Sequence, residues 1–197
     1  PAHNEEAVIG ESVRSAFAAD YPKSVFDVYV IADNCLDRTR EIAEESGARC
    51  LVRNEPLRHG KGYALRHAFD LLSDEGYDAF VVIDADTLVS PNLLSAFNNR
   101  LCVGQHVIQC RNIFRNADST PMSYLLHVGK CIENSLLWEA KSRLGQSVVL
   151  QGNGMCISSK VLESDPWEAF SVTEDVEYSF SLIKAGVKIY YAHETEV

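Results

Sequence analysis

The stretch Val81-Val82-Ile83-Asp84-Ala85-Asp86-Thr87 constrains this chain more than any other. Three branched apolar residues in a row read as a strand covered on both faces, the kind that sits inside a parallel sheet. The rest of the first hundred residues supplies the matching pattern. A helical period (Val8, Ile9, Val13, Ala16, Phe17) follows Asn4 as an N-cap, with Glu5 and Glu6 in the first turn, where the helix dipole favours acids. A strand over 26–32 leads to a helix opened by Asp37 or Thr39 and stopped by Gly47. Arg49–Arg53 is a short strand, and Gly60-Lys61-Gly62 launches a helix through Leu72, with Gly76 beyond its end. Strands alternating with helices predict βαβ units and a mostly parallel sheet, hence an α/β fold. The order then loosens. A helix over 92–101, a strand over 107–110, a long helical period over 121–144, a turn at Gln151-Gly152-Asn153-Gly154, a helix over 174–185 and a strand over 187–192 predict a mixed second half.

At 197 residues the chain is one domain, 1–197, able to bury roughly 70% of its unfolded surface without a disulfide or metal staple. A net charge of −10 argues against nucleic acid as a partner, because phosphate backbones are held by Lys and Arg. One small anion remains compatible with it. The six cysteines show no C-x-x-C pair, so they read as reduced, mostly buried thiols in a cytoplasmic setting. No run approaches 18 apolar residues, and no signal peptide is present. The chain opens at Pro1 without Met and closes in the polar stretch His193-Glu194-Thr195-Glu196. That suggests a piece of a longer protein, lacking a strand ahead of Pro1 and a region beyond Val197.

Chemistry is concentrated at the strand ends, where ligands bind in open α/β sheets. On an extended segment Asp84 and Asp86 point the same way and could converge on one hard divalent cation. The ordinary alternative is that they end a strand and cap the next helix. Asp33 and Asp37 follow the early strand: a carboxylate there can accept from a nucleobase N–H or a ribose hydroxyl, or simply form an Asx-turn and an N-cap. Lys61, between two glycines, can meet a phosphate or remain a solvated turn lysine; the Walker pattern is absent. Thr173-Glu174-Asp175 opens the last helix, with Ser171 and Glu174 at capping-box spacing, and one of its acids could be a general base. His193 is a possible third metal ligand, with a structural role as the default. The long helix over 121–144 is read most simply as core packing, with Tyr124 and Trp138 toward the acceptor side.

Taken in order, Pro1-Ala2-His3-Asn4-Glu5-Glu6, Asp33-Asn34-Cys35-Leu36-Asp37-Arg38-Thr39, Gly60-Lys61-Gly62-Tyr63-Ala64, Asp84-Ala85-Asp86, Gln151-Gly152-Asn153-Gly154 and Thr173-Glu174-Asp175 resemble the family 2 glycosyltransferases of GT-A fold. The resemblance spans essentially the whole chain. It implies a Rossmann-like sheet with helices on both faces and an inverting, hexosyltransferase-type enzyme. Such an enzyme uses a nucleotide-diphosphate sugar, UDP by default, and Mg²⁺ or Mn²⁺. By resemblance, Pro1, Ala2, His3, Glu5, Asp33, Lys61 and Asp84 would hold the nucleotide, and Asp86 with Asp84 the metal. Asp175, beside Glu174, would be the base, and Gln151, Gly152, Asn153 and Gly154 would border a carbohydrate or lipid-linked acceptor. The parent would work at the cytoplasmic face of a membrane, held through parts outside this chain. Two departures stand out: Ala32-Asp33-Asn34-Cys35 keeps only one of the usual paired acids, and no Gln-x-x-Arg-Trp motif is present. A nucleotide-sugar-binding module without turnover, or a sugar-nucleotide pyrophosphorylase, are the alternatives, although Pro1–Glu6 lacks the Gly-rich loop the latter needs.

Overall fold

The computed structural model describes residues 1–197. Six strands form two sheets. β1 (Tyr29–Asp33) runs parallel to β2 (Arg49–Arg53), with Ile31 opposite Leu51. The second sheet has the order β3-β5-β4-β6, from β3 (Ala79–Val82), β4 (Val107–Arg111), β5 (Met155–Ser158) and β6 (Tyr190–Glu196). β4 and β6 are parallel, whereas β5 is antiparallel to both β3 and β4. The α/β class is what the chain adopts, but β3, expected inside a parallel sheet and covered on both faces, is an edge strand that is mostly half-buried, and its one partner, β5, is antiparallel.

Helices α1 (Ile9–Phe17), α2 (Thr39–Glu45), α3 (Lys61–Leu72) and α4 (Leu93–Cys102) connect the early strands. After β4 come α5 (Pro121–Ile132), a π-helical stretch Glu133–Trp138 and α6 (Glu139–Arg143), then α7 (Ser159–Ser164) and α8 (Glu174–Lys184). The largest core cluster joins Leu65 and Phe69 of α3 to Met155 and Ile157 of β5, Tyr178 and Leu182 of α8, and Trp167. Each such fully buried aliphatic side chain contributes about 1.5–3 kcal/mol. β4 and β5 are buried along almost their whole length, as the unbroken apolar runs require. All six cysteines are unpaired.

β1 and β3 do not pair with each other; an apolar cavity of about 330 Å³ lies between them, lined by Val30 and Ile31 of β1, Phe80 and Val82 of β3, Leu65 of α3 and Phe97 of α4, with Pro1 among its walls. Ala2 makes a single parallel bridge to Ala32 at its edge.

Four local expectations are corrected. Asn4 is not an N-cap: α1 starts at Ile9, and Asn4 takes a left-handed φ of 57° so that its side-chain oxygen accepts from Leu36 N at 2.7 Å. The central strand stops at Val82, and Asp84–Thr87 closes a turn through Thr87 N to Asp84 O, so the two acids do not alternate along an extended segment. Ser171 and Glu174 form no capping box. Glu177 instead accepts from Phe170 N and Ser171 N at 3.1 and 3.0 Å, drawing the preceding loop onto the helix start. The stretch 121–144 packs into the core only through Trp138, with Asn134 buried beside it; α5 buries none of its residues and turns its leucines outward. β6 also extends past Ala192 to Glu196: after a bulge opposite Cys110/Arg111, the polar end pairs on and buries Thr195, whose hydroxyl bonds Asn92.

Candidate active site

Four loops meet at the carboxyl ends of β1 and β3. The first is tied to the second by its own polar groups: His3 Nδ1 donates to Asp33 O at 2.8 Å, Glu5 N to Thr39 Oγ1 at 2.7 Å and Glu6 N to Asp37 Oδ2 at 3.0 Å. Asp37 also accepts from Thr39 N at 3.0 Å, so its carboxylate satisfies the first amide of α2. Burial pushes its carboxyl up, but the bonds from Thr39 and Glu6 together hold it below the usual range.

Asp33 is buried at the end of β1, its Oδ1 paired to Arg53 Nη1 at 2.6 Å and accepting from Asn34 Nδ2 at 3.0 Å. Arg53 ends the neighbouring strand in register with Asp33, which is why the pair forms. The Arg53 guanidinium lies 5.8 Å from the Tyr63 ring, and that ring stacks on Phe170 at 4.5 Å.

Lys61, the first residue of α3, follows Gly60 with φ 115° and is half-buried. Its ammonium pairs with the Asp84 carboxylate and donates to Gly152 O. A Cβ built on Gly152 would stand 3.2 Å from Asp175 Oδ2 and 3.4 Å from Lys61 Nζ, at a φ of +76°. Glycine is what allows the turn to pass between these two charges. Burial raises the Glu174 carboxyl above its ordinary value; Lys61 opposes that shift, and Asp175 and Asp84 add to it. Lys61, Asp84, Glu174 and Asp175 therefore form one electrostatic unit. Pro1, at the head of the first loop, lies near Lys61, Asp84 and Asp33.

The turn 151–154 is held from three sides. Gly154 N donates to Val82 O, Cys110 N to Gly154 O, and Asn153 Oδ1 accepts from Asp84 N at 3.0 Å while Asn153 Nδ2 donates to Thr87 at 2.9 Å. Buried Gln109 accepts from Gln151 N at 2.8 Å and donates to Asn153 O at 2.8 Å. Gln151 Oε1 accepts from Lys130 at 2.6 Å and from Asn112 at 3.3 Å, and its Nε2 is buried without a partner. Gln109, Asn112 and Lys130 escaped the sequence reading. A Gln inside the apolar run Val107-Ile108-Gln109-Cys110 was the available signal, since a buried amide must find hydrogen-bond partners.

Asp86 is exposed, with one long hydrogen bond from Thr87 at 3.5 Å, so its oxygens are free to coordinate. Asp84 carries a second carboxylate in the same turn, one oxygen of which is paired with Lys61. No three His, Cys, Asp or Glu side chains are placed to hold a metal ion by themselves. This donor set fits Mg²⁺ or Mn²⁺ held by one or two carboxylates, with water and phosphate completing the shell. His193 lies outside it, exposed on β6 beside Glu194 at 3.6 Å. Tyr124 points outward, whereas Trp138 is buried on the inner side of its helix.

These loops gather Asp33, Lys61, Asp84, Asp86, the 151–154 turn and Asp175, while His193 lies elsewhere. Comparisons with known proteins bear on the family and the fold. The profile described as "Glycosyltransferase like family 2" matches residues 1–197. The chain is 30% identical over 193 residues to a beta-monoglucosyldiacylglycerol synthase of Trichormus variabilis, covering 92% of this chain and 39% of that one. It is 25% identical to the probable glycosyltransferase YdaM of Bacillus subtilis, covering 96% and 46%. It thus spans less than half the length of these relatives. Among solved structures, the mannosyltransferase PcManGT of Pyrobaculum calidifontis, in complex with GDP-Man and Mn²⁺, superposes with a TM-score of 0.74 at 20% identity, covering 100% of this chain and 55% of that one. Glucosyl-3-phosphoglycerate synthase of Mycobacterium tuberculosis, with Mn²⁺ and UDP-Glc, gives 0.65 at 24% identity, covering 100% and 67%. These neighbours establish the GT-A fold.

Proposed function

The chain belongs to glycosyltransferase-like family 2, and from that premise we propose that it transfers a hexose from a nucleotide-diphosphate sugar to an acceptor hydroxyl by single displacement with inversion. One observation carries the reading: Lys61, Asp84, Asp175 and the Gly152 backbone meet at one point, with Asp86 exposed in the same turn as Asp84. The Pro1–Glu5 loop and Asp33 receive the nucleoside, Asp84 its ribose, and Lys61 the diphosphate. UDP is the default donor base. A divalent cation held by Asp86 and Asp84 would supply Lewis-acid stabilisation of the leaving diphosphate. Asp175 accepts the proton of the attacking hydroxyl, beside Glu174, whose carboxyl burial raises above its ordinary value. Gln151 to Gly154 border the acceptor, a carbohydrate or a lipid-linked sugar. No helix is long and apolar enough to cross a membrane.

General-base help is worth about 10²–10⁴-fold. Asp175→Asn is therefore expected to lose transfer by that factor in a donor-consumption assay while still binding UDP with Mn²⁺ by calorimetry. Asp86→Ala is expected to lose the Mn²⁺ dependence of that binding. Near-normal transfer by Asp175→Asn would remove Asp175 as the base. Binding without any turnover in the parent enzyme would favour a binding module instead.

A further inference from the structure

Asparagine in a turn commonly bonds its own backbone two residues on. Asn153 does not. It commits both polar atoms of its side chain to the turn that carries Asp84 and Asp86: Oδ1 accepts from Asp84 N at 3.0 Å, and Nδ2 donates to Thr87 Oγ1 at 2.9 Å. Chemistry fixes the direction of each bond. A backbone N–H can only donate, so the amide oxygen faces Asp84 and the NH₂ faces Thr87. The Thr87 hydroxyl is thereby made an acceptor on that side, and its own proton is left for Asp86 Oδ1, 3.5 Å away. Thr87 N also closes the turn onto Asp84 O at 3.2 Å. One amide thus reaches Asp84 through its backbone N–H and Asp86 through Thr87.

That amide is itself held in place. Asn153 O accepts from Gln109 Nε2 at 2.8 Å and from Asn112 Nδ2 at 3.3 Å, and Gln109 is fully buried in β4. The next residue, Gly154, donates its N–H to Val82 O at 3.0 Å, at the end of β3. A Cβ on Gly154 would collide with Cys110 Sγ, at a φ of +66°, so the turn is seated directly against β4.

We propose that Asn153 is a positioning residue for the divalent cation: through Thr87 it orients the Asp86 carboxylate, and through the Asp84 amide it fixes the spacing of the two acids. The proposal rests on the metal-dependent transferase reading above. Groups that hydrogen-bond a metal ligand set its direction, and removing one typically costs about 10–100-fold in metal affinity. Asp86 is exposed and takes its one hydrogen bond from Thr87, whereas Asp84 is already paired with Lys61. The relay therefore matters most for Asp86. The side chain of Asn153 serves the metal turn, while Gly152 keeps the backbone of its own turn toward Lys61 and Asp175.

The test is calorimetric titration of Mn²⁺ into the chain, with and without UDP. Thr87→Val keeps the shape of the side chain and removes the hydroxyl; it is expected to weaken Mn²⁺ binding by about 10–100-fold, with circular dichroism unchanged. Thr87→Ser keeps the hydroxyl and is expected to bind Mn²⁺ as the unmodified chain does. Asn153→Ala is expected to lose at least as much as Thr87→Val, and the double variant no more than Asn153→Ala alone, because both act through one relay. A residue that merely stabilised the fold would show in thermal melts and leave Mn²⁺ affinity unmoved. Unchanged Mn²⁺ affinity in Thr87→Val, a loss in Thr87→Ser as large as in Thr87→Val, or losses that multiply in the double variant would each overturn the proposal. The two Thr87 variants decide it if Asn153→Ala does not fold. Mn²⁺ binding without UDP binding would count against the transferase reading, and the same variants then decide the positioning role with Mn²⁺ alone. No Mn²⁺ binding by the unmodified chain in either condition would overturn both.

Discussion

Arg53→Met separates a buried structural pair from its surroundings more sharply than any other single change. Arg53 and Asp33 are 5% and 9% exposed at their side chains, and they meet at 2.6 Å. Deleting one partner of such a pair leaves an uncompensated buried charge, which typically costs about 3–5 kcal/mol. Asn34 still donates to Asp33 at 3.0 Å, so the lower half of that range is expected. For a chain of this size about 3 kcal/mol lowers Tm by roughly 6–12 °C. Urea titration should show the same loss as a shift in midpoint at unchanged m-value. Adding Asp33→Asn should restore part of the stability, because the buried site is then neutral. A deficit below about 1 kcal/mol at neutral pH, or no recovery in the double variant, would refute the claim that this pair is held by desolvated charge. The same double variant should bind UDP more weakly if Asp33 reads the base.

Glu194 is held by Arg100 at 2.5 and 2.7 Å. Burial pushes its carboxyl up, but the Arg100 bonds outweigh this and keep it below the usual range. Its contribution is therefore present above about pH 4.3 and lost as pH falls through the lower folded value. Glu194→Gln should cost about 1 kcal/mol or less at pH 7 and nothing further in strong acid, by thermal melts across pH. Gly62→Ala should destabilise by about 1–3 kcal/mol, since a Cβ there collides with the Ala169 carbonyl; an unchanged Tm would mean that the 169–170 backbone gives way freely. An apolar strand of about 5–6 residues fused ahead of Pro1 should enter the cavity between β1 and β3. It should raise Tm and protect the β1 and β3 edge amides from exchange, and unchanged protection would show that the two sheets are not built to be joined.

What could be read from the sequence was whatever is encoded locally. The strand at Val81, the glycine stops at Gly47, Gly76 and Gly186, and the motif order all follow from neighbours in the chain, and the folded chain keeps them. What failed depended on partners distant in sequence. Asn4 has the chemistry of a cap, but Leu36 lies within its reach and the left-handed turn satisfies both. The Ser171/Glu174 spacing fits a capping box, yet Glu177 captures the same loop amides from inside the helix. The helix at 121–144 shows the sharpest difference. Its period correctly predicts a helix with one apolar stripe, but a period carries no sign and cannot say whether that stripe faces protein or something else. Here the polar stripe is the one committed inward, because Lys130, Asn134 and Asn112 are needed to fix Gln151. The 151–154 turn thus draws its rigidity from a helix whose apolar residues are left facing outward, so that loop geometry and surface chemistry are two faces of one segment.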